Sequence, residues 1–159
     1  MPDVVIPSIK IQTADFDTAA EIARLSDGRA DIGAVVSFTG LCRSEDGRLS
    51  ALELEHYPGM AEEEIGRIAD QALQRWPIGA LTVIHRVGKI MPGENIVLVL
   101  AASAHRQAAF DAAAFVMDFL KSRAPFWKKE HGVDGSQGAW VEARDADEQR
   151  LATWALRGD

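Results

Sequence analysis

The chain has 159 residues, enough for one domain with a substantial core and short for two. Hydrophobic residues make up 47% and charged residues 26%, globular proportions that exclude a disordered or low-complexity scaffold. Lys and Arg number 17 against 24 Asp and Glu, a net charge of −7, so general attraction to nucleic acid or an anionic membrane is excluded and any anion site must be a local cluster.

Cys42 is the single cysteine, so it closes no internal disulfide and builds no cysteine-rich zinc site, which fits a reducing compartment, the cytoplasm. The first thirty residues show no basic stretch leading into an apolar one. The longest apolar run, Ile96 to Ala102, falls far short of the ~20 residues that span a bilayer.

In chain order, Val4 to Ile11 is rich in β-branched residues and carries Pro7, which confines it to an edge or bulged strand. Asp15 to Leu25 spaces Phe16, Ala19, Ala20, Ile22 and Ala23 at mostly helical intervals and runs into the stop signal Asp27-Gly28, predicting a short helix. Ile32 to Thr39 reads as a buried strand, followed by a polar, glycine-bounded loop from Gly40 to Arg48. Leu49 to Tyr57 alternates, with Leu52, Leu54 and His56 on one face and Glu53, Glu55 and Tyr57 on the other. After the turn Pro58-Gly59, Ile65, Ile68, Ala69, Ala72, Leu73 and Trp76 follow the spacing of an amphipathic helix. Acids in its first turns suit the helix dipole and Pro77 stops it.

Leu81 to Ile90 and Ile96 to Ala102 predict two strands joined through Met91-Pro92-Gly93-Glu94, naturally paired as a hairpin. Ser103 is the expected N-cap of a long helix from Ala104 to about Arg123, with Ala109, Ala113, Val116, Met117 and Leu120 on one stripe and Pro125 beyond its end. A glycine-rich turn from Gly132 to Gly138, a short strand from Ala139 to Ala143 and a terminal helix around Asp147 to Leu156 follow. Strands and helices mix without regular βαβ alternation or repeats, which predicts an α+β fold in one domain over residues 1–159.

No Walker loop, GxGxxG, GxSxG, HExxH or CxxC occurs, which removes the common phosphate-loop, dinucleotide, serine-hydrolase and zinc readings. His56, His85 and His131 show no metal-ligand spacing, so no metal is expected. What stands out is a set of cationic and imidazole groups at element ends: Arg43, His105, Arg106, Lys121, Arg123, Lys128 and Lys129. A cation in the first turn of a helix opposes the dipole, so His105 and Arg106 are either a surface pair bonded to nearby backbone or a clamp for phosphate or carboxylate.

Lys121 and Lys128 flank Pro125, Phe126 and Trp127, rigid apolar walls near two amines. Each lysine is either a snorkelling side chain favoured by the helix C-terminus, or an amine with a lowered pKa that moves protons or attacks a substrate. His105 and Lys121 lie 16 positions apart on one predicted helix, ~24 Å along its axis, so one small-molecule site cannot use both ends. Either the chain has two sites, or a symmetric dimer brings one copy's His105 to the other's Lys121. Cys42, with only Arg43 as an activating neighbour, reads as a buried structural thiol.

The segments LELEHYPGM (52–60), RWPIGALTVIHRVGKIMPGE (75–94), SAHR (103–106), FVMDFLKSRAPFWKKE (115–130) and WVEARD (140–145) occur in this order and together resemble the large, catalytic subunit of molybdopterin synthase over roughly residues 32–145. The resemblance implies an α+β fold with a hammerhead-type β motif. It implies an enzyme, a sulfurtransferase of molybdenum cofactor biosynthesis that converts precursor Z, a cyclic pyranopterin monophosphate, to molybdopterin by inserting two dithiolene sulfurs. The sulfur donor would be a small ubiquitin-like carrier with a thiocarboxylate on its C-terminal Gly-Gly, and the assembly a heterotetramer around a dimer of large subunits. No cofactor is implied for this step.

Carried over by position, Lys121 and Lys128 match the two pocket lysines, Lys121 as the principal catalytic group and Lys128 assisting. His105 and Arg106 match a substrate-binding pair contributed by the neighbouring subunit. Arg43 and Arg144 match pocket arginines, and Lys129 and Glu130 continue the lysine segment. Leu41 and Cys42 stand in the substrate-binding loop, where many members read Gly-Lys-Val-Arg and this chain reads Gly40-Leu41-Cys42-Arg43, so position 41 supplies no cation. Residues 1–30 and the tail 146–159 carry little of the resemblance. From a different class, a non-catalytic module holding a phosphorylated metabolite through SAHR would depend on Arg106 and not on Lys121.

Overall fold

A computed structural model describes residues 4–123, 125–142 and 154. The described residues run β1 (Ser8–Gln12), α1 (Thr18–Ser26), β2 (Ala34–Leu41), β3 (Leu49–His56), α2 (Met60–Arg75), β4 (Ile78–Arg86), β5 (Gly88–Ile90), β6 (Asn95–Ser103), α3 (Arg106–Ser122) and β7 (Phe126–Gly132). One sheet has the order β1-β4-β6-β2, with β1 parallel to β4 and the other pairs antiparallel. A second, antiparallel sheet has the order β5-β3-β7. This is the α+β class expected from the mixed order of elements.

The continuous apolar run of β6 has a simple cause: both of its faces are covered. Val97, Val99 and Ala101 join the main core with Ile65, Ile68, Ala69 and Ala72 of α2 and Ala109, Ala113 and Val116 of α3. Leu98 and Leu100, with Ile84 of β4, meet Phe16, Ile22 and Leu25 around α1 on the other side. Asp17 opens α1 by accepting a hydrogen bond from the Ala20 N–H, the N-cap geometry its side chain favours. A third, small cluster of Cys42, Leu54 and Ile90 packs with Leu49, Leu52 and Ile96. Among the described residues no helix is long and apolar enough to cross a membrane.

Four expectations change. Leu81 to Ile90 is not one strand: Gly88, at φ +88°, breaks the run, so β4 pairs with β6 as the hairpin requires while β5 passes to the second sheet and pairs with β3. Ser103 does not cap the long helix. It is the last residue of β6, its hydroxyl donates to the His105 carbonyl, and His105 occupies the cap position without a side-chain bond. The segment after Pro125, expected only to supply apolar walls, is the strand β7. Its outer partners are isolated bridges, at Val141 and Gln137, in place of the expected strand from Ala139 to Ala143, whose last residue lies outside the described residues. The terminal helix around Asp147 to Leu156 also lies outside them, except for Trp154, which is helical and buried.

Candidate active site

The second sheet and the C-terminal end of α3 enclose a cavity of about 930 Å³. Its floor follows from strand alternation: Leu52 and Leu54 of β3 face inward, the side predicted to be apolar, opposite Glu130 and Lys128 of β7 in the register. From α3 come Met117, Leu120 and Lys121, spaced to share one helix face, and from β4 comes His85. The loop after β2 closes one side with Leu41, Cys42 and Arg43.

Lys121 and Lys128, seven positions apart and on different elements, therefore line the same cavity, together with Arg43, Glu130, Leu41 and Cys42. Lys129 does not join them. Alternation along β7 turns it to the opposite face, where its Nζ stands 5.6 Å from the centre of the Trp140 ring. His105 and Arg106 are exposed at the far end of α3 and do not line the cavity, as the length of a 17-residue helix requires. Arg144 lies outside the described residues.

The cavity is polar without being strongly charged. Arg43, Arg48, Lys121 and Lys128 face Glu45, Asp46, Glu130 and Glu142, a local balance in a chain of net −7. Arg43 is held by Glu45 at 2.8 Å with most of its side chain in water, an arrangement worth little in stability but easily exchanged for a bound anion. Trp127 braces the outer wall: its indole N–H donates to Glu142 at 2.8 Å, and Tyr57 packs edge-on against its ring. Cys42 is 3% exposed and its thiol lies against the Ile90 carbonyl at 3.7 Å. Burial pushes the thiol pKa up, and the nearby carboxylates Glu94 and Glu130 push the same way, so it stays protonated and is a poor nucleophile.

His85, weighed from the sequence only as a metal ligand, is a residue of the cavity wall. It lies in an apolar run, and its signal is phase: it shares the inward side of β4 with Leu81 and Val83, where an imidazole has to be accommodated. Its ring stacks on Phe126 at 4.0 Å and 13°, and Nδ1 lies 2.8 Å from the Arg86 carbonyl. Burial, then the charges of Lys121 and His56, lower its pKa to about 4 against the contribution of the Arg86 carbonyl. The unfolded chain binds this proton near pH 6.5, so the folded state is disfavoured as pH falls from about 6.5 towards 4. Urea unfolding is expected to show a loss on the order of 3 kcal/mol across that window. His85→Phe, which cannot titrate, should flatten the slope there, and an unchanged slope would assign the acid sensitivity to other groups.

The family model described as MoaE protein matches residues 11–123. The chain belongs to the MoaE family. A molybdopterin synthase catalytic subunit from Mesorhizobium japonicum is 71% identical over 154 residues, covering 97% of each chain. A molybdopterin biosynthesis MoaE protein from Burkholderia ambifaria superposes with a TM-score of 0.81 at 46% identity, covering 94% of this chain and 98% of that one. Molybdopterin synthase from Staphylococcus aureus superposes with a TM-score of 0.75 at 29% identity, over 83% of this chain and 95% of that one. MoaE membership makes the chain a member of a family of molybdopterin biosynthesis enzymes.

Proposed function

We propose that the chain is the catalytic subunit of a molybdopterin synthase and converts precursor Z to molybdopterin, using sulfur from the thiocarboxylated C-terminus of a small ubiquitin-like carrier. The observation that carries this reading is the meeting of Lys121 and Lys128 on one cavity, large enough for a small substrate and a peptide tail. The word subunit in the relatives' names fits a protein that works with a partner.

Lys121 is the group that touches the reacting atoms. When the thiocarboxylate sulfur attacks the pterin side chain and the cyclic phosphate opens, negative charge develops on oxygen. An ammonium beside that oxygen both stabilises the charge and can deliver a proton from Nζ. Lys128, fixed on a strand whose backbone bonds both β3 and Val141, holds a second cation at a set place in the wall. Arg43, released from Glu45, is available to the phosphate.

The balance of charges inside one copy leaves little net attraction for a phosphate, while His105 and Arg106 stand exposed far from it. A twofold dimer that lends these two residues to the neighbour's cavity supplies the missing charge, and makes two equivalent sites. The test is reconstitution: purified chain, thiocarboxylated carrier and precursor Z are mixed, and molybdopterin is detected as its oxidised fluorescent derivative. Product that needs all three components is the expected result. Carrier binding with no product would overturn the enzymatic reading, and loss of both would favour the anion-binding module.

A further inference from the structure

A second, smaller cleft shares the Trp127 wall of the cavity. Strand alternation turns Glu55 of β3 away from the apolar floor of Leu52 and Leu54, and Trp127 is its register partner on β7. With His56, Tyr57 and Trp140 these two residues line a space of about 270 Å³. Tyr57 and Trp127 meet edge-on at 4.7 Å, while Tyr57 and Trp140 keep 55% and 38% of their surfaces exposed, so aromatic surface stands uncovered there.

The cleft also carries one uncompensated charge. Among the described residues the Glu55 carboxylate has no hydrogen bond or ion pair, whereas Glu53 on the same strand is bonded to His131 at 2.8 Å and His56 stands 3.5 Å from Glu62. An apolar side chain seated in the cleft would bury that carboxylate unpaired, and an anion would be repelled by it. A cation suits both the charge and the rings, since aromatic faces attract it, and the Nζ of Lys129 already lies 5.6 Å from the centre of the Trp140 ring. The volume falls below the roughly 300 Å³ at which sites for free small molecules begin, and suits one long side chain.

We propose that this cleft takes a basic side chain, by preference an arginine, from the surface of the sulfur carrier whose C-terminal tail enters the cavity. A guanidinium stacks flat on Trp or Tyr and offers a planar fork to a carboxylate, and its stem lies along the rings. The occupant follows from continuity. Trp140 lines the cleft and its chain neighbour Val141 lines the cavity, and Val141 is itself 46% exposed, so the two openings adjoin on one wall. A folded carrier is too large to follow its tail into the cavity, and its body comes to rest against that wall. The inference rests on the reading of the chain as the partner of such a carrier.

The experiment titrates the chain with the carrier by calorimetry, comparing the parent with Glu55→Gln and Trp140→Ala, each checked for folding by circular dichroism. Glu55→Gln keeps the shape and removes the charge, and Trp140 stands on an exposed segment outside the core, so the second variant serves if the first does not fold. Each is expected to weaken carrier binding about tenfold or more, and added salt should weaken the parent's binding more than that of Glu55→Gln. In the three-component reconstitution KM for the carrier should rise by a similar factor while kcat at saturating carrier stays within about twofold, because neither residue lines the cavity.

The Lys and Arg residues on the carrier's surface are then replaced singly by Ala and titrated against the parent and Glu55→Gln. One of them should weaken binding to the parent and cost nothing further in Glu55→Gln. Parent-like carrier affinity in folded Glu55→Gln, or no basic residue of the carrier coupled to Glu55, would overturn the proposal. So would a change in the sedimentation of the chain alone in Trp140→Ala with carrier binding intact, which would give the cleft to a second copy of this chain. A parent chain that binds no carrier at all would defeat the synthase reading, and this occupant with it.

Discussion

Lys121→Ala is expected to give a folded protein whose molybdopterin formation falls by at least about 10²-fold, with carrier binding retained. The stability half of the expectation follows from position. Lys121 lies in the last turn of α3, exposed on the cavity side, where alanine is at least as good a helix former. What is lost is a cation at a helix C-terminus, about 0.3–1 kcal/mol. The catalytic half follows from chemistry, since no other amine reaches the same point: Lys128 stands on the facing strand and Lys129 on its far side. Lys121→Arg separates the two contributions of the ammonium. It keeps positive charge but holds its protons too tightly to give one up near neutral pH, and its planar fork does not occupy the place of an Nζ. Recovery of turnover in Lys121→Arg would mean that charge alone suffices. Near-normal turnover in folded Lys121→Ala would remove Lys121 from the chemistry altogether.

The parts of this site that were legible in the sequence are those where periodicity and burial agree. Leu49 to Tyr57 alternates because one face of β3 floors a cavity and the other carries Glu53, bonded to His131 at 2.8 Å. The apolar spacing of α2 and α3 is legible for the same reason. β7 was hidden because Lys128, Lys129 and Glu130 are three consecutive charged residues with no apolar alternation of their own, whereas in the sheet they alternate between the cavity and the Trp140 side. Only long-range pairing with β3 makes that alternation meaningful, and pairing leaves no mark on composition. Gly88 likewise reads as one weak position in a strand until the change of sheet gives its positive φ a purpose.

For the site, the resemblance brought Lys121, Lys128, Arg43 and Glu130 to one place, and helix length alone separated His105 from Lys121. It gave no hint that carboxylates balance the cavity's cations, or that an imidazole stands in its wall. Both depend on which side chains converge from distant elements.

Trp154→Ala is expected to cost about 3–5 kcal/mol, close to the largest effect a single side chain can have here. Trp154 is 4% exposed and packs edge-on against both Trp76 at 5.7 Å and Phe115 at 5.6 Å, bridging α2's end to α3. Its indole N–H donates to Asp118 at 2.5 Å, and its carbonyl accepts from Arg75 at 3.0 Å. The methyl of alanine leaves most of that volume empty between rings that cannot close on it, and it removes a donor from Asp118. For a chain of this size the melting temperature should fall by roughly 10 °C, with the urea m-value unchanged. Trp154→Phe retains a ring and loses the indole donor, and should cost about 1–2 kcal/mol.

Asp118 sits one turn before Lys121 on α3, so the Trp154 contact and the amine proposed to react share a helix. If α3 is held chiefly by its buried stripe from Ala109 to Leu120, Trp154→Ala loses stability while kcat per folded molecule stays within about twofold below the new melting point. Lys121→Ala should do the reverse. A large fall in kcat for Trp154→Ala, measured where the protein is fully folded, would show that the tail sets the position of Lys121 as well as the stability of the core.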